Sequence, residues 1–168
     1  MVNGLGETLR VGFGFDVHRF AAGRPLILGG VRLEHDQGLD GHSDADVLAH
    51  AVIDALLGAA GLGDIGRWFP DTDPRYRGAD SLGLLAQVVE RLHAEGWRVV
   101  NVDATVVAEA PRLAPHAGAM AANLARILEV EAGRVNIKAA TSEGMGFTGR
   151  REGIAAFAVC LLARSQGA

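Results

Sequence analysis

The run "IAAFAVCLLA", Ile154–Ala163, restricts the fold of this chain more than any other stretch, because none of its side chains is charged or strongly polar. It is too short to cross a bilayer, which takes about 20 apolar residues. As a strand it has no polar face, since successive side chains point to opposite sides. Such a strand lies inside a sheet and is covered on both faces. Helices can cover one face and another copy of the chain the other.

The rest of the sequence supplies that cover. Residues 9–18 read as a strand, and Pro25–His35 as a hairpin broken at Gly29-Gly30. "SDADVLAHAVIDALLGAAG" (Ser43–Gly61) reads as a helix, with Ser43 as N-cap and Asp46 completing a capping box. A second helix runs from about Ser81 to Glu95 and stops at Gly96. Trp97–Ala110 alternates as a strand, with Val100, Val102, Ala104 and Val106 facing inward. Pro115 suits the first turn of a third helix ending near Glu131. Arg134–Thr141 is a further strand, followed by the glycine-rich loop Ser142–Gly153. Segregated helices on a mixed sheet make an α+β fold. The expectation is a mixed β-sheet covered by helices on one face, in a ferredoxin-like arrangement. One domain spans residues 1–168, and residues 1–8 form a short flexible extension.

A net charge of −4 argues against non-specific nucleic-acid binding, which needs a basic stripe. The single cysteine, Cys160, allows no intrachain disulfide and fits a reducing compartment. "MVNGLGETLR" has no apolar signal core, and no run is long enough to span a membrane. A cytoplasmic protein with neither membrane nor nucleic-acid partners is expected.

The chemistry starts in "VGFGFDVHRF" (Val11–Phe20). One strand face carries Val11, Phe13, Phe15 and Val17 and reads as core; the other carries Gly12, Gly14, Asp16 and His18. Asp16 and His18 stand about 6–7 Å apart along the chain, a suitable bite for one divalent metal, and the glycines would let a bulky ligand approach the backbone. His50, on the long helix, is the third candidate ligand. Asp46 and Asp54, four residues to either side, could hold its second ring nitrogen. One carboxylate and two imidazoles leave an open position, as in catalytic zinc sites. The same ligand types serve non-haem iron, though on scaffolds less helical than this one. His42 and Ser43 precede a helix N-terminus, where an anion can bind; the alternative role for Ser43 is a plain cap. Asp64, Asp71 and Asp73 lie in a loop, as sugar-hydroxyl acceptors or as turn formers. The loop "KAATSEGMGFTGRREG" offers the Thr141 and Ser142 hydroxyls, Arg150 and Arg151, all suited to phosphate. Glu143 would repel phosphate unless Mg²⁺ or Mn²⁺ lay between them. His35, His93 and His116 read as ordinary surface positions.

"FDVHRF", "HSDADVLAHAVIDALLGAAGLGDIG", "FPDTDP", "GADS", "NVDATVVAEAPRL" and "GFTGRREGIA" occur in that order from about Arg10 to Ala163. Together they resemble the 2-C-methyl-D-erythritol 2,4-cyclodiphosphate synthase family. Two departures are small: Ser142 stands where the family often has a second threonine, and Gly144 where a larger residue is common.

The resemblance implies a phosphorus–oxygen lyase of the non-mevalonate isoprenoid precursor pathway. It would cyclise 4-diphosphocytidyl-2-C-methyl-D-erythritol 2-phosphate with release of CMP. It implies Zn²⁺ on Asp16, His18 and His50, and Mg²⁺ or Mn²⁺ reached by Glu143 and the substrate phosphates. His42 and Thr141 would position and polarise the reacting phosphates. Asp16, His18, His42 and Ser43 would touch the substrate. So would Asp64, Ile65 and Gly66, with Phe69, Pro70, Asp71, Thr72 and Asp73 beyond them. The cytidine pocket would comprise Ala108, Glu109, Ala110, Pro111, Arg112, Leu113 and Ala114, with Ala140, Thr141, Ser142 and Glu143. Phe147 and Arg150 would be further contacts. The resemblance also implies a homotrimer with active sites between subunits, and an axial cavity that in some members holds an isoprenoid diphosphate. A metal-dependent nucleotide-diphosphate hydrolase uses similar parts and is the rival reading; a non-enzymatic metal-binding protein is another.

Overall fold

A computed structural model describes residues 8–165; the expected N-terminal extension lies outside the described residues except for Thr8. In chain order the larger elements are β1 (Leu9–Ala22), β2 (Leu26–Leu28), β3 (Val31–Leu33), β4 (Gln37–Leu39), α1 (Val47–Ala60), α2 (Ile65–Trp68) and α3 (Ser81–Ala94). There follow β5 (Trp97–Val107), α4 (Ala117–Leu128), β6 (Val135–Ala140), α5 (Gly146–Gly149) and β7 (Gly153–Arg164). β2 and β3 form the expected hairpin. The five-stranded sheet has the order β4-β1-β7-β5-β6. β5 and β6 are parallel, joined through α4; the other pairings are antiparallel. The apolar run thus becomes β7, with β1 on one side and β5 on the other.

The fold is α+β on a mixed sheet, but the order of elements is not ferredoxin-like. That arrangement alternates as β-α-β-β-α-β. Here the long elements run β1-α1-α3-β5-α4-β6-β7, and the crossover helix α4 joins two neighbouring strands. A parallel neighbour pair needs such a crossover, and β7 then fills the gap between β1 and β5.

α1 is the centre of the core. Val47, Leu48, Ile53, Leu56 and Leu57 are fully buried, each stabilising the fold by about 1.5–3 kcal/mol. Its N-cap is Asp46, not Ser43: the Asp46 carboxylate accepts the Ala49 N–H at 3.0 Å and the amides of Gly29 and Gly30 at 2.9 and 2.7 Å. One carboxylate therefore both caps α1 and ties the hairpin to it. Gly61 ends the helix in the left-handed conformation, φ 74°. α4 stops at Leu128, short of the expected Glu131, because Glu129 turns left-handed at φ 56°.

α1 lies on the Gly12–Gly14 face of β1. A Cβ at Gly12 would stand 1.9 Å from the Ala55 carbonyl oxygen, and one at Gly14 would stand 1.9 Å from that of Ala51. These glycines admit a helix, not a ligand. The opposite face of β1, read as core from its composition, is uncovered in the single chain. Val11 is 68% and Phe13 63% exposed, and Phe15, Val17, Phe157 and Val159 lie exposed beside them. In β5 the inward set is Val99, Val102, Ala104 and Val106, because an irregularity between Val99 and Asn101 turns Val100 out of phase.

Candidate functional site

Asp16 and His18 leave β1 on its helix-facing side, and His50 projects from the first turn of α1. Asp16 Oδ2 lies 3.0 Å from His18 Nε2 and 2.9 Å from His50 Nδ1, and the two ring nitrogens are 3.1 Å apart. Among the described residues these three form the one cluster able to hold a metal ion.

The surroundings set which atoms face inward. The Val17 amide holds Asp16 Oδ1 at 2.8 Å, leaving Oδ2 for the cluster. His18 Nδ1 lies 2.6 Å from the Asp40 carbonyl, which can only accept, so Nδ1 carries a proton and Nε2 is the nitrogen available to a metal. His50 Nε2 meets the Ser81 and Ser43 hydroxyls at 2.9 and 3.1 Å. Asp46 and Asp54 do not take that second nitrogen: Asp46 caps α1, and Asp54 accepts the Ile65 amide at 2.8 Å.

Burial, the largest influence on Asp16, raises its carboxyl; the hydrogen bonds and charges of both histidines outweigh it and hold the group far below the usual carboxylate range. Burial likewise works to lower His18, but Asp16 and the Asp40 carbonyl outweigh it, so His18 holds its proton more firmly than a free histidine. Tetrahedral zinc with bonds of about 2.0 Å sets its ligand atoms about 3.3 Å apart. The triangle seen here accommodates a divalent ion with a few tenths of an ångström of opening.

The cluster forms one wall of a cavity of about 430 Å³. His42, Ser43, Ile65, Gly66, Phe69, Pro70 and Asp71 also line it, and Gly41, Tyr76 and Leu84 join them. His42 Nε2 donates to the Asp73 carbonyl at 3.0 Å, tying that ring to the loop beyond. Arg24, which no motif or spacing singles out, holds the loop by donating to the Gly41 and Ser43 carbonyls at 2.8 and 2.6 Å. Asp64 and Asp73 are caps rather than cavity walls: Asp64 accepts the Arg67 amide at 3.0 Å, and Asp73 pairs with Arg75 at 2.6 Å. Thr72 lies in the exposed turn between them.

A second hollow, of about 400 Å³, is lined by Ala108, Glu109, Pro111, Arg112, Leu113, Ala114, Ala140 and Thr141. Ala110 faces a different cleft, beside Phe20 and Arg151. Glu109 accepts the Ser142 and Gly144 amides at 2.9 and 3.3 Å, which holds its carboxyl below the usual range and folds the glycine-rich loop over it. The Ser142 hydroxyl also reaches Glu109, at 3.2 Å, and accepts from Thr148. Thr141 donates to exposed Glu143 at 2.9 Å. Phe147 and Arg151 line a third cavity, with Val17 and His18 on its other side; Arg150 is absent from its lining and pairs with Glu152 at 2.8 Å.

The metal cluster and the second hollow are separate within one chain. Val17, Ala155, Val107 and Ala140 pair in one row across β1, β7, β5 and β6. Three strand spacings of about 4.8 Å put Val17 of β1 and Ala140 at the end of β6 about 14 Å apart.

Residues 9–163 match the model of the YgbB family. A 2-C-methyl-D-erythritol 2,4-cyclodiphosphate synthase of Bordetella avium (strain 197N) is 66% identical over 155 residues, covering 92% of this chain and 96% of that one. The bifunctional IspDF from Campylobacter jejuni aligns with a TM-score of 0.90 at 45% identity over 93% of this chain, which spans 42% of that longer one. The CDP complex of IspF from Plasmodium falciparum aligns with a TM-score of 0.83 at 28% identity, covering 95% and 98% of the two chains.

Proposed function

This chain belongs to the YgbB family, the family of its 2-C-methyl-D-erythritol 2,4-cyclodiphosphate synthase relatives, and from that premise we propose that it performs their cyclisation as a metal-dependent, cytoplasmic homotrimer of single-domain subunits. The chain is an enzyme of that synthase class, a phosphorus–oxygen lyase of isoprenoid biosynthesis. In the proposed reaction the 2-phosphate of 4-diphosphocytidyl-2-C-methyl-D-erythritol 2-phosphate attacks the β-phosphorus. One P–O bond forms, the bond to the CMP oxygen breaks, and CMP departs with that electron pair. The nucleophile belongs to the substrate, so the protein needs no nucleophile of its own. Cys160 fits that reading, since burial pushes its thiol up to about 12.

The observation that carries the reading is the convergence of Asp16 Oδ2, His18 Nε2 and His50 Nδ1 within 3.1 Å of one another on a cavity wall. Zn²⁺ there, with Mg²⁺ or Mn²⁺ on Glu143 and the substrate phosphates, would neutralise and polarise the diphosphate. The chain's own part is to fold the substrate back on itself. His42, held by the Asp73 carbonyl, would orient a phosphate from one side. Ser43 and the 64–73 loop would grip the methylerythritol phosphate. The 108–114 and 140–143 segments would hold cytidine, with Thr141 donating to a phosphate once released from Glu143.

Two observations support an active site shared between subunits. The two half-sites stand about 14 Å apart in one chain, and β1 and β7 leave an apolar face uncovered, of a kind that monomers seldom expose. A closed ring would cover that face and bring one subunit's metal cluster to its neighbour's hollow. The same reading carries over an axial cavity able to take an isoprenoid diphosphate.

Incubating the protein with substrate, Zn²⁺ and Mg²⁺ and identifying the products tests the reading. Cyclic diphosphate with CMP is expected; a linear product in its place would mark a hydrolase. His18→Ala and His50→Ala should lose zinc and at least about a hundredfold of the turnover. Stoichiometric zinc with normal CMP release in either variant would overturn the ligand assignment.

A further inference from the structure

We propose that Asp44 and Ser81 form a hydrogen-bond relay that fixes His50 as its Nε2–H tautomer, and so act as positioning residues for the metal. The relay rests on the metal reading above and adds two residues to it. Ser81 Oγ donates to Asp44 Oδ1. A carboxylate only accepts, so the one hydroxyl proton of Ser81 is committed to Asp44. What remains on Ser81 Oγ is lone pairs, and His50 Nε2 lies 2.9 Å away. Nε2 must therefore carry a proton. Asp16 Oδ2, which also only accepts, lies 2.9 Å from Nδ1 and competes for a proton there; by holding Nε2–H the relay makes Nδ1 the nitrogen that gives its lone pair to a metal. An Asp44-Ser81-His50 line does here what a carboxylate bound directly to a ligating histidine does elsewhere.

The fold holds both members. Asp44 donates its own N–H to the Ala79 carbonyl at 3.0 Å, and Gly78 donates to the His42 carbonyl at 2.7 Å, knitting the two loops together. Asp44 also accepts the Ser81 and Asp46 amides, at 3.1 and 3.2 Å. Ser81 is fully buried at the start of α3.

Ser43 makes the direction of the relay matter. Its hydroxyl accepts the Ala45 amide at 3.1 Å and stands 3.3 Å from Ser81 Oγ and 3.1 Å from His50 Nε2. With Ser81 accepting, the Ser43 proton points to Ser81. Without the Ser81 hydroxyl, that proton turns to His50 Nε2 and favours the opposite tautomer, whose Nδ1–H points into the metal site.

The test compares wild type with Ser81→Ala, Ser81→Thr and Asp44→Asn. Three quantities are read: the ring ¹⁵N shifts of His50 in metal-free protein, zinc affinity by chelator competition, and thermal melting. The wild type should show protonated Nε2. Ser81→Ala and Asp44→Asn should bind zinc about 10- to 100-fold more weakly, with a mixed or reversed His50 tautomer. Ser81→Thr, which keeps the hydroxyl, should restore both. A merely structural role would lower melting while leaving the tautomer of the folded protein unmoved. A bare Nε2 in the metal-free wild type overturns the relay whatever the metal does, as does unchanged zinc affinity in both Ser81→Ala and Asp44→Asn. A wild type that shows the Nε2–H tautomer but takes up no zinc supports the relay and overturns the metal reading. If Ser81→Ala does not fold, Asp44→Asn decides alone.

Discussion

Gly14→Ala should damage the metal centre without touching any of its ligands. The added Cβ would stand 1.9 Å from the Ala51 carbonyl oxygen and 2.6 Å from the Ala55 amide nitrogen, both helix backbone that cannot rotate away. Real Cβ atoms essentially never come closer than 3.0 Å, so β1 and α1 must part by about 1.1 Å at this point. Asp16 lies two residues along the strand and His50 sits next to Ala51, so the parting falls between the two halves of the cluster. Metal–ligand bonds tolerate only about 0.2 Å, and zinc binding should be lost even where the chain still folds. Overpacking of this kind costs about 1–3 kcal/mol, a fall of roughly 2–12 °C in melting temperature for a chain of this length. Melting by circular dichroism at one fixed protein concentration, with chelator competition for zinc, measures both effects. Gly12→Ala, the same distance from the Ala55 carbonyl but farther from the cluster, should cost similar stability and less metal affinity. A Gly14→Ala protein that melts with the wild type and keeps its zinc would show that the strand–helix spacing does not hold the cluster.

The metal-free protein should lose stability as pH rises from about 6.5, because His18 is raised in the folded state and its contribution fades as the folded group deprotonates. With zinc bound the trend should reverse, and chelator-treated and zinc-loaded melting curves from pH 6 to 8.5 that run in parallel would contradict it. Glu143→Gln should shift the magnesium dependence of CMP release to higher concentration while zinc content stays stoichiometric; an unchanged magnesium titration would remove Glu143 from the second cation. Inactive His18→Ala and Thr141→Ala chains, unfolded and refolded together in equal amounts, should recover about a quarter of wild-type activity. About three-quarters of random trimers are mixed, and each mixed ring has one intact boundary. Verified mixed trimers without recovery would assign all the catalytic groups to one subunit.

The candidate metal-binding residues are legible in the sequence because their spacings are local: Asp16 and His18 share a strand face, and His50 sits near the start of the clearest helix. The support around His50 was not legible. Asp46 and Asp54 had the right helical spacing, but the Gly29, Gly30 and Ala49 amides claim the first and the Ile65 amide claims the second. The serines that do serve come from elsewhere in the chain, and no periodicity joins position 50 to position 81. Val100 was misjudged because alternation presumes an unbroken ladder, and the irregularity beside it shifts the phase. The glycines at 12 and 14 suggest room for a ligand, yet what fills that room is helix α1, through Ala51 and Ala55. Composition marks only the Val11–Val17 face of β1 as core, yet the face that α1 covers is the glycine one. Only the packing of α1 shows which face the chain itself covers.

The central place of β7 sets an order for biosynthesis. Gly12 pairs with Cys160 and His18 with Ile154, so β1 waits for almost the whole described chain before it gains its long neighbour. Until then it has only the short strand β4 beside it. A ribosome adds about 5–20 residues per second, which leaves β1 without that neighbour for several seconds, with Phe13 and Phe15 on its apolar side. Contacts this distant in sequence also close slowly. In this chain Asp16 and His18 lie on the first strand made and are anchored by the last, so a metal held there would be loaded only at the end of synthesis.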